Sequence, residues 1–247
     1  MADNFQLYAK YYNLLNGDKN YSAEVDYVNR LLKTYLPSSN TILEFGSGTG
    51  LHGLLLQKRG YEVYGLERSE GMVALAKQNG LPCEVADISN FALNIKFDAV
   101  VSLFHVVSYL TSNEILISTF INANNHLNDE GVFLFDVWYS PAVYAQRAKP
   151  RIKKMKNSEL EVTRIAEPKI ICNSNVIDVQ FTVIAKDLHS NETSELIESH
   201  PMRHFSIPEM ELLAALTGFK IIKVEEFLSG NSPSENSWGV CFIFKKV

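Results

Sequence analysis

The sequence predicts an α/β fold with a mostly parallel central sheet and helices on both of its faces. Short apolar, β-branched runs alternate with amphipathic helical stretches from residue 41 to residue 136. Because consecutive parallel strands need a crossover connection, usually a helix, this alternation predicts parallel strands with right-handed crossovers. Two closing strands, at about 219–228 and 238–246, bring the predicted sheet to seven strands.

Each predicted element is marked by an apolar pattern and by the residues that end it. The first helix is predicted over residues 22–36 with Ser22 as its N-cap, because apolar residues recur at helical spacing from Val25 to Leu36. Strands are then predicted at 41–45, 61–66, 82–86, 97–101 and 131–136, and the helices between them at about 51–59, 69–79 and 112–127. Gly60 and Gly80 end two of these helices, as glycine often does.

Residues 159–205 depart from this rhythm. Apolar and polar residues alternate there, most clearly over 176–184, and a period of two predicts antiparallel strands with one solvated face. We therefore expect a main domain at residues 1–150 and 206–247, with an antiparallel insert at residues 151–205 after the fifth strand.

Composition excludes several classes of function. The formal net charge of -5 argues against a nucleic-acid partner, since binding to phosphates needs a basic surface. No apolar run approaches the roughly 18 residues that a membrane-spanning helix needs. Cys83, Cys172 and Cys241 lie far apart and form no CxxC pair, so we expect no metal site and a reducing, cytoplasmic location.

A glycine-rich turn follows the first predicted strand. The segment 44–50 reads Glu-Phe-Gly-Ser-Gly-Thr-Gly and leads into a helical stretch that begins at Leu51. Glycines let the backbone approach a ligand closely, and a helix start offers unpaired N–H groups. This strand, loop and helix therefore suit a nucleotide-like cofactor.

Three carboxylates narrow the choice of cofactor. Glu44, Glu67 and Asp87 follow or end three consecutive predicted strands, where open α/β sheets bind ligands. S-adenosylmethionine presents an ammonium, a sulfonium, ribose hydroxyls and an adenine amine, and these groups favour acceptors or negative charge, whereas a pyrophosphate needs donors. A dinucleotide fingerprint would also have its third glycine where this chain has Leu51. An NAD-dependent oxidoreductase and a non-catalytic cofactor-binding protein remain the alternatives from other classes.

The order Glu-x-Gly-x-Gly-x-Gly, then Glu67, then Asp87-Ile88 resembles the class I S-adenosylmethionine-dependent methyltransferases. The resemblance implies a Rossmann-like sheet, with Glu67 on the ribose hydroxyls and Asp87 on the adenine amine. It implies that Leu66, Arg68 and Met72 line the adenine and that the glycine loop meets the methionine part. The cofactor-binding residues implied in this way are Tyr11, Tyr21, Glu44, Phe45, Gly46, Ser47, Gly48, Leu66, Glu67, Arg68, Met72, Asp87, Ile88 and Leu103.

A closer resemblance is to the N,N-dimethyltransferases of desosamine- and mycaminose-type deoxyaminosugars. It is carried by segments 8–15, 19–24 and 101–110 and by the antiparallel insert. It implies a small-molecule acceptor, the amino group of a nucleotide-linked sugar, and an aromatic N-terminal helix that folds over the cofactor. It also implies that Tyr21 contacts the methionine end and that the insert forms part of the substrate wall and a homodimer contact. An O-methyltransferase acting on another small metabolite remains an alternative.

His105, Tyr109 and Tyr12 are the candidate catalytic residues. Where such enzymes have a serine pair after the fourth strand, this chain has His105 and Val106, and where some members have a histidine it has Tyr109. Histidine suits proton transfer near neutral pH, so His105 is a candidate proton acceptor. The alternatives are a loop histidine bonded to a carbonyl and a tyrosine that only packs.

Overall fold

The structure is a computed structural model that describes residues 14, 15, 17 and 19–247. The chain divides into two compact units. The larger unit comprises Asn20–Gln146 and His204–Val247, and the smaller unit comprises Met1–Lys19 and Arg147–Arg203. The candidate residues Tyr11 and Tyr12 lie outside the described residues.

The larger unit contains the alternating strands and helices that the sequence predicts. Its helices are α1 (Tyr21–Tyr35), α2 (Leu51–Gln57), α3 (Glu70–Gln78), α4 (Asn113–Asn125), α5 (Ser140–Gln146) and α6 (Ile207–Leu216). Its strands are β1 (Thr41–Phe45), β2 (Glu62–Glu67), β3 (Cys83–Val85), β4 (Phe97–Ser102), β5 (Leu127–Tyr139), β10 (Phe219–Glu226) and β11 (Gly239–Lys246). A short 3₁₀ helix, Val106–Tyr109, follows β4.

The strands of the larger unit form a sheet in the order β3-β2-β1-β4-β5-β11-β10. The first five strands are parallel, and β11 runs antiparallel to both β5 and β10. Phe45 pairs with Ser102, which in turn pairs with Phe135. The carboxyl ends of β1, β4 and the parallel part of β5 therefore meet at one edge, where ligands of open α/β sheets bind.

Alternating residues of β5 explain why helices cover both faces of this sheet. Phe133 and Phe135 pack into an aromatic cluster with Phe120 of α4, whereas Val132 and Leu134 pack on the opposite face. Side chains alternate across a strand, so a run that is apolar throughout needs an apolar layer on each side. Helices α4 and α6 supply one layer, and α1, α2 and α3 supply the other. The prediction of a Rossmann-like sheet is confirmed.

The helix caps follow the sequence with one correction. The side chains of Ser69 and Ser206 cap α3 and α6. The cap of α1 is Asn20 and not Ser22, because the side-chain Oδ1 of Asn20 accepts a hydrogen bond from Ala23 N at 3.0 Å. Asparagine and serine are both good N-caps, so the sequence alone did not separate them.

Strand β5 is longer than the predicted 131–136. It begins at Leu127, and its register against β4 shifts between Phe97 and Ala99. Glu130 adopts a positive φ of 65° at this irregularity. The segment Asn128-Asp129-Glu130-Gly131 has a turn-like composition, which hid the start of the strand.

The smaller unit contains the antiparallel strands that the alternating pattern predicts. They are β6 (Arg151–Lys156), β7 (Leu160–Ile171), β8 (Val176–Asp187) and β9 (Thr193–Phe205), each antiparallel to the next. Its small core contains Leu15, Leu160, Val162, Val183 and Ala185. The last two residues of β9 belong to the larger unit and pair in parallel with Trp138 and Tyr139.

Candidate cofactor and acceptor site

The glycine loop after β1 requires glycine for both its conformation and its packing. Gly46, Gly48 and Gly50 have φ values of 68°, 54° and 85°. The N–H groups of Gly46 and Ser47 donate to the Leu66 carbonyl at 2.8 and 3.1 Å, which ties the loop to the end of β2. A Cβ on Gly46 would lie 2.5 Å from Val106 Cγ2. The loop therefore packs directly against the segment that follows β4.

We expect Gly46→Ala to lower the free energy of unfolding by about 1–3 kcal/mol, through positive φ and the clash with Val106. Urea unfolding measures this change. Gly80→Ala is the matched control, because Gly80 has a φ of 98° but no atom within 4 Å of its added Cβ. Adding Val106→Ala should recover part of the loss at Gly46 and none at Gly80. Equal losses for the two glycine variants would contradict close packing at Gly46.

Glu44 places a buried carboxyl group beside this loop. Its side chain belongs to a residue that is 2% exposed, and Oε2 has no hydrogen-bond partner within the described residues. Burial, and then the nearby Glu67, raise the pKa of Glu44 to about 8, while the Gly53 N–H lowers it by less. A carboxyl group with an unused buried oxygen is suited to receive a cation or a donor from a ligand.

Glu67, at the end of β2, is oriented by two backbone groups. Its Oε2 accepts from Gly48 N at 3.1 Å, and its Oε1 accepts from Ser69 N at 2.9 Å. Each carboxylate oxygen can accept more than one hydrogen bond, so capacity for ligand hydroxyls remains. Glu67 thus links the glycine loop to the N-terminus of α3.

Asp87 lies in a loop that is held by hydrogen bonds to Asn122 and His126. Its Oδ1 accepts from the backbone N and the Oγ of Ser89 at 2.9 and 2.6 Å, and these two bonds lower the pKa of Asp87. Asn122 donates to the carbonyls of Ile88 and Phe91. Nε2 of His126 accepts from Leu93 N at 3.0 Å, and its Nδ1 lies 2.8 Å from the Asn122 carbonyl oxygen. These contacts hold His126 as the neutral tautomer with its proton on Nδ1.

The remaining candidate cofactor residues differ in exposure. Phe45 and Leu66 are completely buried and Leu103 is 3% exposed, so they offer mainly backbone groups to a ligand. Met72 is partly buried, with Sδ 4.0 Å from the Cβ that Gly48 would carry, and Arg68 is exposed. Ser47 is buried, with its Oγ 3.2 Å from Cys83 Sγ.

Tyr21 begins α1 and belongs to a cluster that the sequence did not reveal. Its ring centroid lies 4.9 Å from that of His52, whose Nε2 lies 2.7 Å from Glu24 Oε2. Burial and the charge of Glu24 raise the pKa of Tyr21. His52 and Glu24 are both buried, so this pair joins α1 to α2.

His105 contacts a buried carboxylate on the neighbouring strand. Its backbone N donates to Asp136 Oδ1 at 3.1 Å, and its Nδ1 lies 2.6 Å from Asp136 Oδ2. This second contact has the distance of an ion pair without the alignment of a hydrogen bond. The Asp136 side chain is 1% exposed and that of His105 is 22% exposed. The partner of His105 is thus a carboxylate rather than a carbonyl group, which favours a base over a structural loop histidine.

The backbone at His105 is strained. Phe104 and His105 have φ values of 64° and 62°, in the left-handed region that side chains disfavour. Such consecutive positive values persist only when the surroundings hold them, and they concentrate at functional sites. The Asp136 side chain provides such a restraint, because it binds both the backbone and the ring of His105.

Asp136 is the site residue that the sequence reasoning missed. It ends the predicted fifth strand, so the rule that selected Glu44, Glu67 and Asp87 also applied to it. Its partner, however, follows from the register, because Ser102 at the end of β4 pairs with Phe135.

Tyr109 ends the 3₁₀ helix and is 46% exposed. This exposure argues against a purely packing role. The sequence analysis did not select two aromatic residues in this region. The ring of Trp138 lies 6.1 Å from that of His105, and the ring of Trp238 lies 5.6 Å from that of Trp138.

The residues at this edge fit S-adenosylmethionine. Glu44 offers an unused buried oxygen to a cation, Glu67 and Asp87 offer acceptors, and Gly46 leaves the loop without a Cβ. This set of groups is what an S-adenosylmethionine-dependent methyltransferase needs to hold its cofactor. The chain belongs to the methyltransferase domain family, which matches residues 18–224.

Several known proteins that are similar to this chain are methyltransferases. It is 27% identical over 232 residues to the dTDP-3-amino-3,4,6-trideoxy-alpha-D-glucopyranose N,N-dimethyltransferase of Streptomyces venezuelae, which covers 93% of both chains. It matches the crystal structure of DesVI from Streptomyces venezuelae with a TM-score of 0.81, at 23% identity over 98% of both chains. A SAM-bound amino pentose methyltransferase from Micromonospora echinaspora gives a TM-score of 0.78 at 22% identity, over 98% of this chain and 97% of that one.

Two kinds of feature are absent from the described residues. No group of three or more His, Cys, Asp and Glu side chains in that part of the chain is placed to hold a metal ion. Nor does any helix there have the length and apolarity needed to cross a membrane.

Proposed function

We propose that this protein transfers a methyl group to the amino group of a small molecule, and that the acceptor is a nucleotide-linked deoxyaminosugar. The observation that carries this proposal is the contact between His105 and Asp136 beside the glycine loop. The two parts adjoin, because Val106, the residue after His105, packs against Gly46. The similarity to a sugar N,N-dimethyltransferase supports the choice of acceptor.

The chemistry requires a base because an alkylamine is protonated at neutral pH and has no free lone pair. Nε2 of His105 takes one proton from the ammonium group of the acceptor. Asp136 stabilises the resulting imidazolium through Nδ1. When bound, S-adenosylmethionine supplies an electrophilic methyl group, so that the amine lone pair forms the N–C bond as the S–C bond breaks. His105 then releases its proton to solvent, which restores the base.

The other residues act by binding and positioning. Glu44 would balance the positive charge of the methionine end, Glu67 would accept from the ribose and Asp87 from the adenine amine. Tyr109 is exposed and lies four residues after His105 in the sequence, and it would orient the acceptor. Methyl transfer depends strongly on alignment, so these contacts contribute to the rate through positioning.

A screen with defined acceptors tests this proposal. Purified protein is incubated with S-adenosylmethionine and pairs of nucleotide-linked sugars that differ only in an amino or a hydroxyl group at one carbon. We expect a mass gain of one CH₂ unit, or two, for the amino member alone. A gain in the hydroxyl member alone would favour the O-methyltransferase alternative. Glu67→Ala serves as the control, because weaker cofactor binding should reduce any true transfer.

A further inference from the structure

The two tryptophans of this chain meet beside the proposed base. The sequence contains two Trp residues, at positions 138 and 238, a hundred residues apart. Antiparallel pairing of β11 with β5 brings them together, since Gly239 pairs with Trp138. Their rings lie 5.6 Å apart at an interplanar angle of 66°. Two indoles at this angle form a corner with two aromatic walls.

This corner adjoins the pair of His105 and Asp136. Asp136 and Trp138 are two residues apart on β5, so their side chains leave the same face of the sheet. The His105 ring lies 6.1 Å from the Trp138 ring, also at 66°. A Cβ on Gly239 would lie 3.5 Å from His105 Cε1, which places the start of β11 against the imidazole. Both tryptophans are partly exposed, so a ligand can reach them.

We propose that Trp138 and Trp238 form the binding site for the acceptor's cationic amine and the C–H groups around it. The faces of indole rings attract cations, and indole is the strongest of the aromatic side chains in this respect. The proposal rests on the proposed function in one respect, namely that the acceptor is an amine. The corner holds the acceptor as an ammonium, adjacent to the imidazole that removes its proton. It also accommodates the methylated ammonium product, which keeps its positive charge.

The location of the tryptophans makes occupancy of this corner directly measurable. Since they are the chain's two tryptophans, intrinsic fluorescence reports this region whether or not any methyl transfer takes place. Choline and its neutral isostere 3,3-dimethylbutan-1-ol are matched probes, because they share shape and hydroxyl group and differ in charge. Each is titrated with S-adenosylhomocysteine present, which occupies the cofactor site without supplying a methyl group.

We expect saturable quenching by choline and weaker binding of the neutral alcohol, by about 2- to 30-fold in Kd, the range that cation–π contacts span. Trp138→Leu and Trp238→Leu should each weaken choline binding, and each variant keeps one tryptophan as the reporter. Trp138→Phe should bind more tightly than Trp138→Leu, because it keeps an aromatic face. Trp138→Phe also replaces the leucine variant in this test if circular dichroism shows that Trp138→Leu does not fold.

The outcomes separate this proposal from the proposed function. Equal binding of choline and the neutral alcohol, or unchanged choline binding in both leucine variants, would overturn the aromatic cation site. If aminosugars are methylated while choline does not bind, the proposed function is supported and the tryptophan cation site is rejected. If choline binds as expected and no amine is methylated, the cation site is supported and the proposed acceptor is rejected. With a true acceptor, the Trp138 variants should raise KM more than they lower kcat.

Discussion

Replacing His105 with alanine should lower kcat by about 10²–10⁴-fold, the contribution that a positioned general base makes. The expectation follows from the 2.6 Å contact between His105 Nδ1 and the buried Asp136 carboxylate, which orients the ring as a base. Affinity for S-adenosylhomocysteine should change little, because the carboxylates assigned to the cofactor are Glu44, Glu67 and Asp87. Steady-state kinetics and calorimetry measure the two quantities separately.

Asp136→Asn and Glu67→Ala complete this experiment. The asparagine variant removes the charge that supports an imidazolium, so kcat should fall while the fold persists. Glu67→Ala should give the reciprocal pattern, with weaker cofactor binding by about 1.5–3 kcal/mol. If His105→Ala keeps full turnover with an acceptor that the wild-type protein methylates, His105 has only a packing role.

Glu44→Gln should have opposite effects on binding and on stability. Removing the carboxylate that we propose for the cationic methionine end should weaken S-adenosylmethionine binding by about 1.5–3 kcal/mol, or about 10- to 160-fold in Kd. The same change should stabilise the ligand-free protein at pH 8 by about 1–3 kcal/mol, because a buried and partly unpaired charge is removed. Glu62→Gln, at an exposed position of β2, is the control that should change neither quantity.

The pH dependence of stability gives a sharper form of the same prediction. The pKa of Glu44 rises from an ordinary 4.5 to about 8 on folding. Between these values the folded protein holds more protons than the unfolded chain, so the free energy of unfolding should fall as pH rises, by up to about 1.4 kcal/mol per pH unit. Glu44→Gln should flatten this slope. A slope that is identical in the two proteins would contradict the raised pKa.

The cofactor side of the site was accessible from the sequence because it depends on local order. A strand, a glycine turn and an acid at the strand end are read from neighbouring residues, and parallel strands bring such ends to one edge. Glu67 illustrates this point, since the structure places its carboxylate between Gly48 and Ser69 at that edge. The antiparallel strands were likewise predictable from a period of two.

The acceptor side was less accessible because it depends on contacts between distant residues. His105 meets Asp136 from a segment in which Phe104 and His105 both adopt positive φ, a conformation that their residue types do not predict. Trp138 and Trp238 meet through the pairing of β5 with β11, strands that are separated in sequence by residues 147–203 of the smaller unit and by α6 and β10. Composition marked neither tryptophan as part of a site.

The central claim is that this protein methylates an amine and that His105, supported by Asp136, is the base. The most direct test is methyl transfer from S-adenosylmethionine that carries a CD₃ group. The acceptor is a nucleotide-linked aminosugar, and fragmentation mass spectrometry locates the label. The predicted result is CD₃ on the sugar nitrogen with the wild-type protein, and a rate lower by about 10²–10⁴-fold with His105→Ala. Label on a sugar oxygen, or transfer to nitrogen at the wild-type rate in the variant, would contradict the account.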